Sequence, residues 1–120
     1  MSYKTGSDLV EDARARITEV SPAEVKAMLE KKESAVYLDV REPNEWNLGH
    51  IPGAVHLPRG NLESKVEGML DRSKKIIVVC ARGNRSALAA LTLKEMGYED
   101  VASMRGGMAG WSDVNGPIDG

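Results

Sequence analysis

Apolar positions along the chain form two kinds of pattern. Short continuous runs at residues 17–20, 35–40 (AVYLDV), 54–57, 75–80 (KIIVVC) and 101–104 predict strands, the longer of them buried on both faces. Amphipathic stretches lie between them. Residues 7–17 predict a helix capped by Ser7 or Asp8, with Leu9, Val10, Ala13 and Ile17 on one stripe. Ser21-Pro22-Ala23-Glu24 is a capping box with proline at the first helical position; the helix it opens buries Val25, Met28 and Leu29 and ends at Lys31-Lys32. Residues 61–70 predict a helix with Leu62, Val66, Met69 and Leu70 inward, and residues 85–96 another, stopped by Gly97. The stretch 41–53 reads as loop with one helical turn near 45–48, and 106–113 as a glycine-rich turn leading into a short helix. Strand–helix alternation with right-handed crossovers predicts an α/β fold, a parallel sheet between helical layers, with KIIVVC in its centre. The first six residues and residues 115–120 are candidate tails.

Composition narrows this picture. A chain of 120 residues suffices for one core, and 42% hydrophobic with 28% charged residues is a globular balance. Phe is absent and aromatics make up 4%, so Val, Ile, Leu, Met and Ala must fill the interior. Sixteen Lys+Arg against eighteen Asp+Glu leave a net charge of −2, which gives no global attraction to nucleic acid or to an anionic membrane. No apolar run approaches the roughly 18 residues of a membrane span. The start, MSYKTGSDLVEDARAR, has no signal-peptide pattern, so a cytoplasmic protein is expected. The single cysteine excludes an intrachain disulfide and a multi-cysteine metal site; neither metal nor cofactor is expected.

That cysteine, Cys80, closes the predicted central strand, and a helix follows within about five residues. Open α/β sheets place their ligands at this edge. In Cys80-Ala81-Arg82-Gly83-Asn84-Arg85-Ser86 a short turn aims backbone N–H groups into one concavity, with the helix dipole behind them. Gly83 permits a positive φ, and Arg82 and Arg85 add full charge. Each of these features favours thiolate, the nucleophilic form of the side chain. Arg41, Arg59 and Arg105 also follow predicted strands, so in a parallel sheet they would share this rim and make it attractive to small anions. The alternative for Arg41 is an ion pair with Glu42 or Glu45 that holds its loop.

The loop CARGNRS resembles the active-site loop of single-domain rhodanese-family sulfurtransferases. Leu38-Asp39-Val40-Arg41-Glu42, followed by Gly49-His50-Ile51-Pro52-Gly53-Ala54, and Gly106-Gly107-Met108-Ala109-Gly110-Trp111 are similar to two further signatures of that family, in the same order. The resemblance runs from about residue 17 to 111. It implies a rhodanese-like three-layer domain over residues 17–114 with a five-stranded, mainly parallel sheet. Residues 1–16 would be an N-terminal extension with a helix, either a docking surface or extra cover for the core, and 115–120 a short C-terminal tail. It also implies that Cys80 carries sulfur as a persulfide, taken from an anionic donor such as thiosulfate and given to a thiophilic acceptor. Backbone N–H groups of residues 81–86 would stabilise the sulfur anions. Asp39, His50, Gly107 and Trp111 are expected in structural roles, and His56 outside the chemistry. Partners would be small-molecule donor and acceptor, with a thioredoxin-like protein among candidate acceptors, and the chain a monomer or homodimer. Two rival readings share Cys80: a cysteine-dependent phosphatase of rhodanese-like fold, and a persulfide carrier or regulatory domain without turnover. Cysteine phosphatases use Cys-x5-Arg, whereas four residues separate Cys80 from Arg85.

Overall fold

A computed structural model describes residues 2–120. The chain order is α1 (Gly6–Arg14), β1 (Thr18–Val20), α2 (Pro22–Glu30), β2 (Val36–Asp39), α3 (Pro43–Asn47), β3 (Val55–His56), a 3-10 turn (Arg59–Asn61), α4 (Leu62–Met69), β4 (Ile76–Val79), α5 (Asn84–Glu95), β5 (Val101–Met104) and α6 (Gly107–Asp113). All five strands pair in parallel in the order β1-β5-β4-β2-β3, so β4 is central, with both neighbours in place. Its four residues are buried on both faces, which the β-branched run Ile76-Ile77-Val78-Val79 requires. Alternate side chains feed two apolar layers. Ile76 and Val78 join Leu38, Leu62, Val66 and Leu93 on the face covered by α4 and α5. Ile77 and Val79 join Tyr37, Val25, Met104 and Trp111 on the face covered by α2 and α6.

Several expectations change in detail. The first helix is capped by Thr5, not Ser7 or Asp8: Thr5 and Asp8 exchange side-chain and backbone hydrogen bonds of 3.0 and 2.9 Å, a complete capping box one turn earlier. The helix ends at Arg14, short of Ile17, and Leu9 on the expected buried stripe is exposed, leaving Ala13 as its fully buried residue. Met69 lies in the last turn of α4 and faces solvent. Of the expected N-terminal tail, Met1 lies outside the described residues; Tyr3 is exposed and Lys4 pairs with Asp12. Residues 115–120 pack back on the domain. Pro117 O accepts from Trp111 Nε1 at 2.9 Å, and Asp119 and His50 exchange backbone hydrogen bonds of 2.9 Å each. None of the described helices is long and apolar enough to cross a membrane.

Candidate active site

β4 stops at Val79, so Cys80 leaves the sheet at its carboxyl edge in the central position. Gly83, with φ +96°, turns the chain into α5. That turn aims the Gly83 N–H at Cys80 Sγ, 3.0 Å away. From the first turn of α5, the fully buried Ser86 brings its Oγ to 3.4 Å from the sulfur and 2.8 Å from Ser103 Oγ on β5. The first amides of α5 have no intrahelical acceptor and present the positive end of the helix dipole to this region. Cys80 is 1% exposed and its hydrocarbon belongs to the α4–α5 apolar layer, while its sulfur has polar contacts. Of the amides at residues 81–86, that of Gly83 makes the hydrogen bond to sulfur seen among the described residues.

α6 holds the loop from the other side. Met108 N–H donates to Cys80 O at 2.8 Å and Ala109 N–H to Ala81 O at 3.1 Å. This close approach needs glycine. Gly106 and Gly107 have φ of +75° and +55°, and a Cβ on Gly107 would stand 2.3 Å from Cys80 O. Trp111, fully buried, anchors the same helix in the α2 layer.

The arginines divide sharply. Arg82 is exposed. Arg85 is bound by Glu45 of α3 through two hydrogen bonds of 2.7 and 2.9 Å, so its charge is largely spent within the protein. Those bonds, helped by the Glu42 N–H and the neighbouring guanidinium charges, lower the Glu45 carboxyl to about 2 against the partial burial that raises it. Arg41 is not a rim cation. It is buried against Asp39, with Nε at 3.0 Å from Oδ1 and an η nitrogen at 2.8 Å from Oδ2, and it also donates to Gly49 O at 2.8 Å and to Glu45 O at 3.3 Å. It holds its loop, with Asp39 as the ion-pair partner where sequence suggested Glu42 or Glu45; a carboxylate two residues away at a buried strand end is the nearer neutraliser. Arg59 forks onto Glu63 at 3.0 and 3.1 Å and reaches Thr92 Oγ1 at 3.3 Å. Arg105 is more than half exposed and stands 4.0 Å from Glu19. The five arginines therefore do not form an open ring of unspent charge.

His50 and His56 order the Arg41 loop. Carbonyl oxygens can only accept, so His50 Nδ1–H donates to Trp46 O at 3.0 Å and His56 Nε2–H to Arg41 O at 2.8 Å. Both rings stack on Trp46, at centroid distances of 3.5 and 4.7 Å. Trp46, Ser103 and Arg14 escaped the sequence reading, as did the pairing of Glu45 with Arg85 rather than Arg41. Arg14, at the end of α1, lies 3.4 Å from Asn84 Oδ1 and 3.6 Å from Glu19. No local motif marks such contacts, whose partners are as many as 70 residues apart. A groove of about 450 Å³ between α2 and β1–β5 is lined by residues such as Met28, Lys31, Lys75 and Asp100, and Cys80 is not among them. Among the described residues no group of His, Cys, Asp and Glu is arranged to hold a metal ion.

The sequence profile of the rhodanese-like domain matches residues 21–114. The chain is 34% identical over 109 residues to the "Putative sulfur carrier protein YrkF" of Bacillus subtilis, covering 91% of this chain and 58% of that protein. It is 39% identical over 94 residues to the thiosulfate sulfurtransferase GlpE of Pseudoalteromonas translucida, covering 77% of this chain and 86% of GlpE. Among solved structures it is similar to RPA3614 of Rhodopseudomonas palustris, described as a protein of unknown function and "Possible Tyrosine Phosphatase", with a TM-score of 0.89, 33% identity and coverage of 99% and 97%.

Proposed function

The chain belongs to the rhodanese-like domain family, and from that premise we propose a sulfurtransferase that works through a persulfide on Cys80. The observation that carries the proposal is the Gly83 N–H bonded to Cys80 Sγ at 3.0 Å, at the carboxyl edge of the central strand beneath the start of α5. A fixed donor and a helix N-terminus aimed at sulfur supply what an attacking thiolate needs, with no general base.

In the first half-reaction the Cys80 thiolate attacks the outer sulfur of thiosulfate. The new S–S bond forms as the sulfur–sulfur bond of the donor breaks, and its electron pair leaves with sulfite. In the second, an acceptor thiolate or cyanide attacks the outer sulfur of the persulfide and Cys80 departs as thiolate, which gives ping-pong kinetics. Thiosulfate as donor is supported by the similarity to GlpE, and by exposed Arg82 beside the cysteine. With Cys80 1% exposed, small donors and a thiol presented by a partner protein both require the loop to yield before attack.

Intact mass after exposure to thiosulfate tests the reading. The expected result is a gain of one sulfur atom, reversed by cyanide and absent in Cys80→Ala; an unchanged mass in the wild type rejects it. If the persulfide forms but small donors turn over poorly, the protein is a sulfur carrier, the reading favoured by the similarity to YrkF. The similarity to RPA3614 favours phosphate-ester hydrolysis. Against it, four residues span Cys80 to Arg85, and the Arg85 fork is already filled by Glu45. Hydrolysis of an aryl phosphate by the wild type, lost in Cys80→Ser, would establish that second reading.

A further inference from the structure

Ser103 is a fully buried hydroxyl in a β5 strand whose other residues are Val101, Ala102 and Met104. Burial of a hydroxyl in a strand costs free energy unless its hydrogen bonds are made. Among the described residues the partner of Ser103 Oγ is Ser86 Oγ at 2.8 Å, and Ser86 Oγ in turn lies 3.4 Å from Cys80 Sγ. Sulfur and two hydroxyls thus form a buried chain of two links, 1%, 0% and 0% exposed.

We infer that Ser103 is a positioning residue for the reacting sulfur, acting through Ser86 to support negative charge on Cys80. The argument is a proton count. With a neutral thiol, Sγ, Ser86 and Ser103 carry three protons for two links. Whichever way the chain runs, one proton is left without an acceptor: that of Ser103 if the thiol donates to Ser86, or that of the thiol if Ser86 donates to sulfur. With an anionic sulfur two protons remain, and both are used: Ser103 donates to Ser86, and Ser86 to sulfur. The anion fixes the direction of the chain toward sulfur, and only the anionic arrangement leaves no donor unpaired. Ser103 also removes the competing choice for Ser86, because an oxygen already receiving a proton from Ser103 turns its own toward sulfur. Each bond polarises the next, so the pair contributes more than either hydroxyl alone. The Gly83 N–H is fixed by the backbone and donates in either state. Of the donors at the sulfur, the serine pair is the one that responds to its charge.

The inference takes Cys80 as the reacting sulfur, as proposed above. A double-mutant cycle on Cys80 chemistry tests it: wild type, Ser86→Ala, Ser103→Ala and the double variant, each alkylated with iodoacetamide at pH 7 and followed by intact mass, with sulfur uptake from thiosulfate as a second readout. Thermal midpoints monitor the fold. Ser103→Ala is expected to slow alkylation by about three- to tenfold. In the Ser86→Ala background the same change is expected to have no effect, since its route to sulfur is already cut. An unchanged rate in Ser103→Ala overturns the inference. So does an equal slowing in both backgrounds, which would mean that Ser103 acts by packing. If the wild type takes up no sulfur from thiosulfate, the transferase reading fails, yet the alkylation cycle still decides the role of Ser103.

Discussion

A methyl group on Gly107 would lie 2.3 Å from Cys80 O and 2.6 Å from Ala81 C, on a backbone with φ +55° that residues with a Cβ rarely adopt. Backbone atoms are the obstacle, so no rotamer relieves the contact. α6 would have to retreat from the cysteine loop, breaking the donors from Met108 and Ala109 that hold the carbonyls of Cys80 and Ala81. Gly107→Ala is therefore expected to cost about 2–4 kcal/mol of stability. Sulfur uptake at Cys80 should fall by at least about tenfold at temperatures where the variant is still folded, because atoms at a reacting centre tolerate little displacement. Thermal melts paired with intact mass after thiosulfate treatment check both. Normal uptake by a destabilised but folded Gly107→Ala would mean that the loop keeps its shape without α6. Arg41 teaches a related lesson. Its position after a strand at the carboxyl edge allows a rim cation or a loop-holding ion pair in sequence; a buried guanidinium needs a counter-ion, and Asp39 is the carboxylate that pairs with it.

At the scale of elements, the last six residues form a strap. Gly116 packs on the Trp111 ring so closely that a Cβ there would meet Cε2 at 2.1 Å, Pro117 O satisfies the indole N–H, and Asp119 pairs with His50 across a two-bond antiparallel bridge. The strap covers the ring of α6 and ties the His50 loop, both of which support the cysteine loop. Removal of residues 115–120 is expected to lower Tm by roughly 5–10 °C through the unpaired indole and the newly wetted ring. An unchanged melting curve would show that the strap is passive. In sequence this segment reads as a tail, since Asn-Gly-Pro and terminal glycine are punctuation and its partners lie up to 69 residues away. The main elements were legible for the opposite reason: β-branched runs, the Ser21–Glu24 capping box and Gly97 are local signals whose physics acts within one or two turns. The sequence reading puts the cap of α1 at Ser7 or Asp8, whereas the reciprocal Thr5–Asp8 box, itself a local signal, sets it. The site divided the same way. The position of Cys80 and the turn at Gly83 follow from local pattern, and the structural roles of Gly107 and Trp111 are implied by the family resemblance. Glu45 on Arg85 and Ser103 on Ser86 are contacts between elements, and local pattern leaves them open.

For the whole molecule, the charge pattern fixes how stability responds to pH. Every carboxyl with a resolved displacement is lowered: Glu45 to about 2, and Asp8, Glu24, Glu63 and Asp71 in the same direction, each mainly through hydrogen bonds to its ionised form. A lowered carboxyl binds fewer protons folded than unfolded. Its contribution is complete above the unfolded values of 3.8 to 4.5 and is lost as pH falls through the folded value. Tyr37 and Tyr98 are raised by burial, so their contribution is complete below 10 and declines as pH climbs past it. Stability should therefore plateau between about pH 5.5 and 9.5 and fall on either side. The acid limb belongs chiefly to Glu45, which is less exposed than Glu63, Glu67 or Glu95 and joins α3 to the start of α5. Glu45→Gln should cost about 1–2 kcal/mol at pH 7 after allowance for solvent screening, and should flatten the decline between pH 4.5 and 2. Thermal midpoints of both proteins from pH 2 to 11 provide the check. If Glu45→Gln keeps the full wild-type steepness below pH 4.5, the acid limb arises elsewhere and the α3–α5 bridge is not its source.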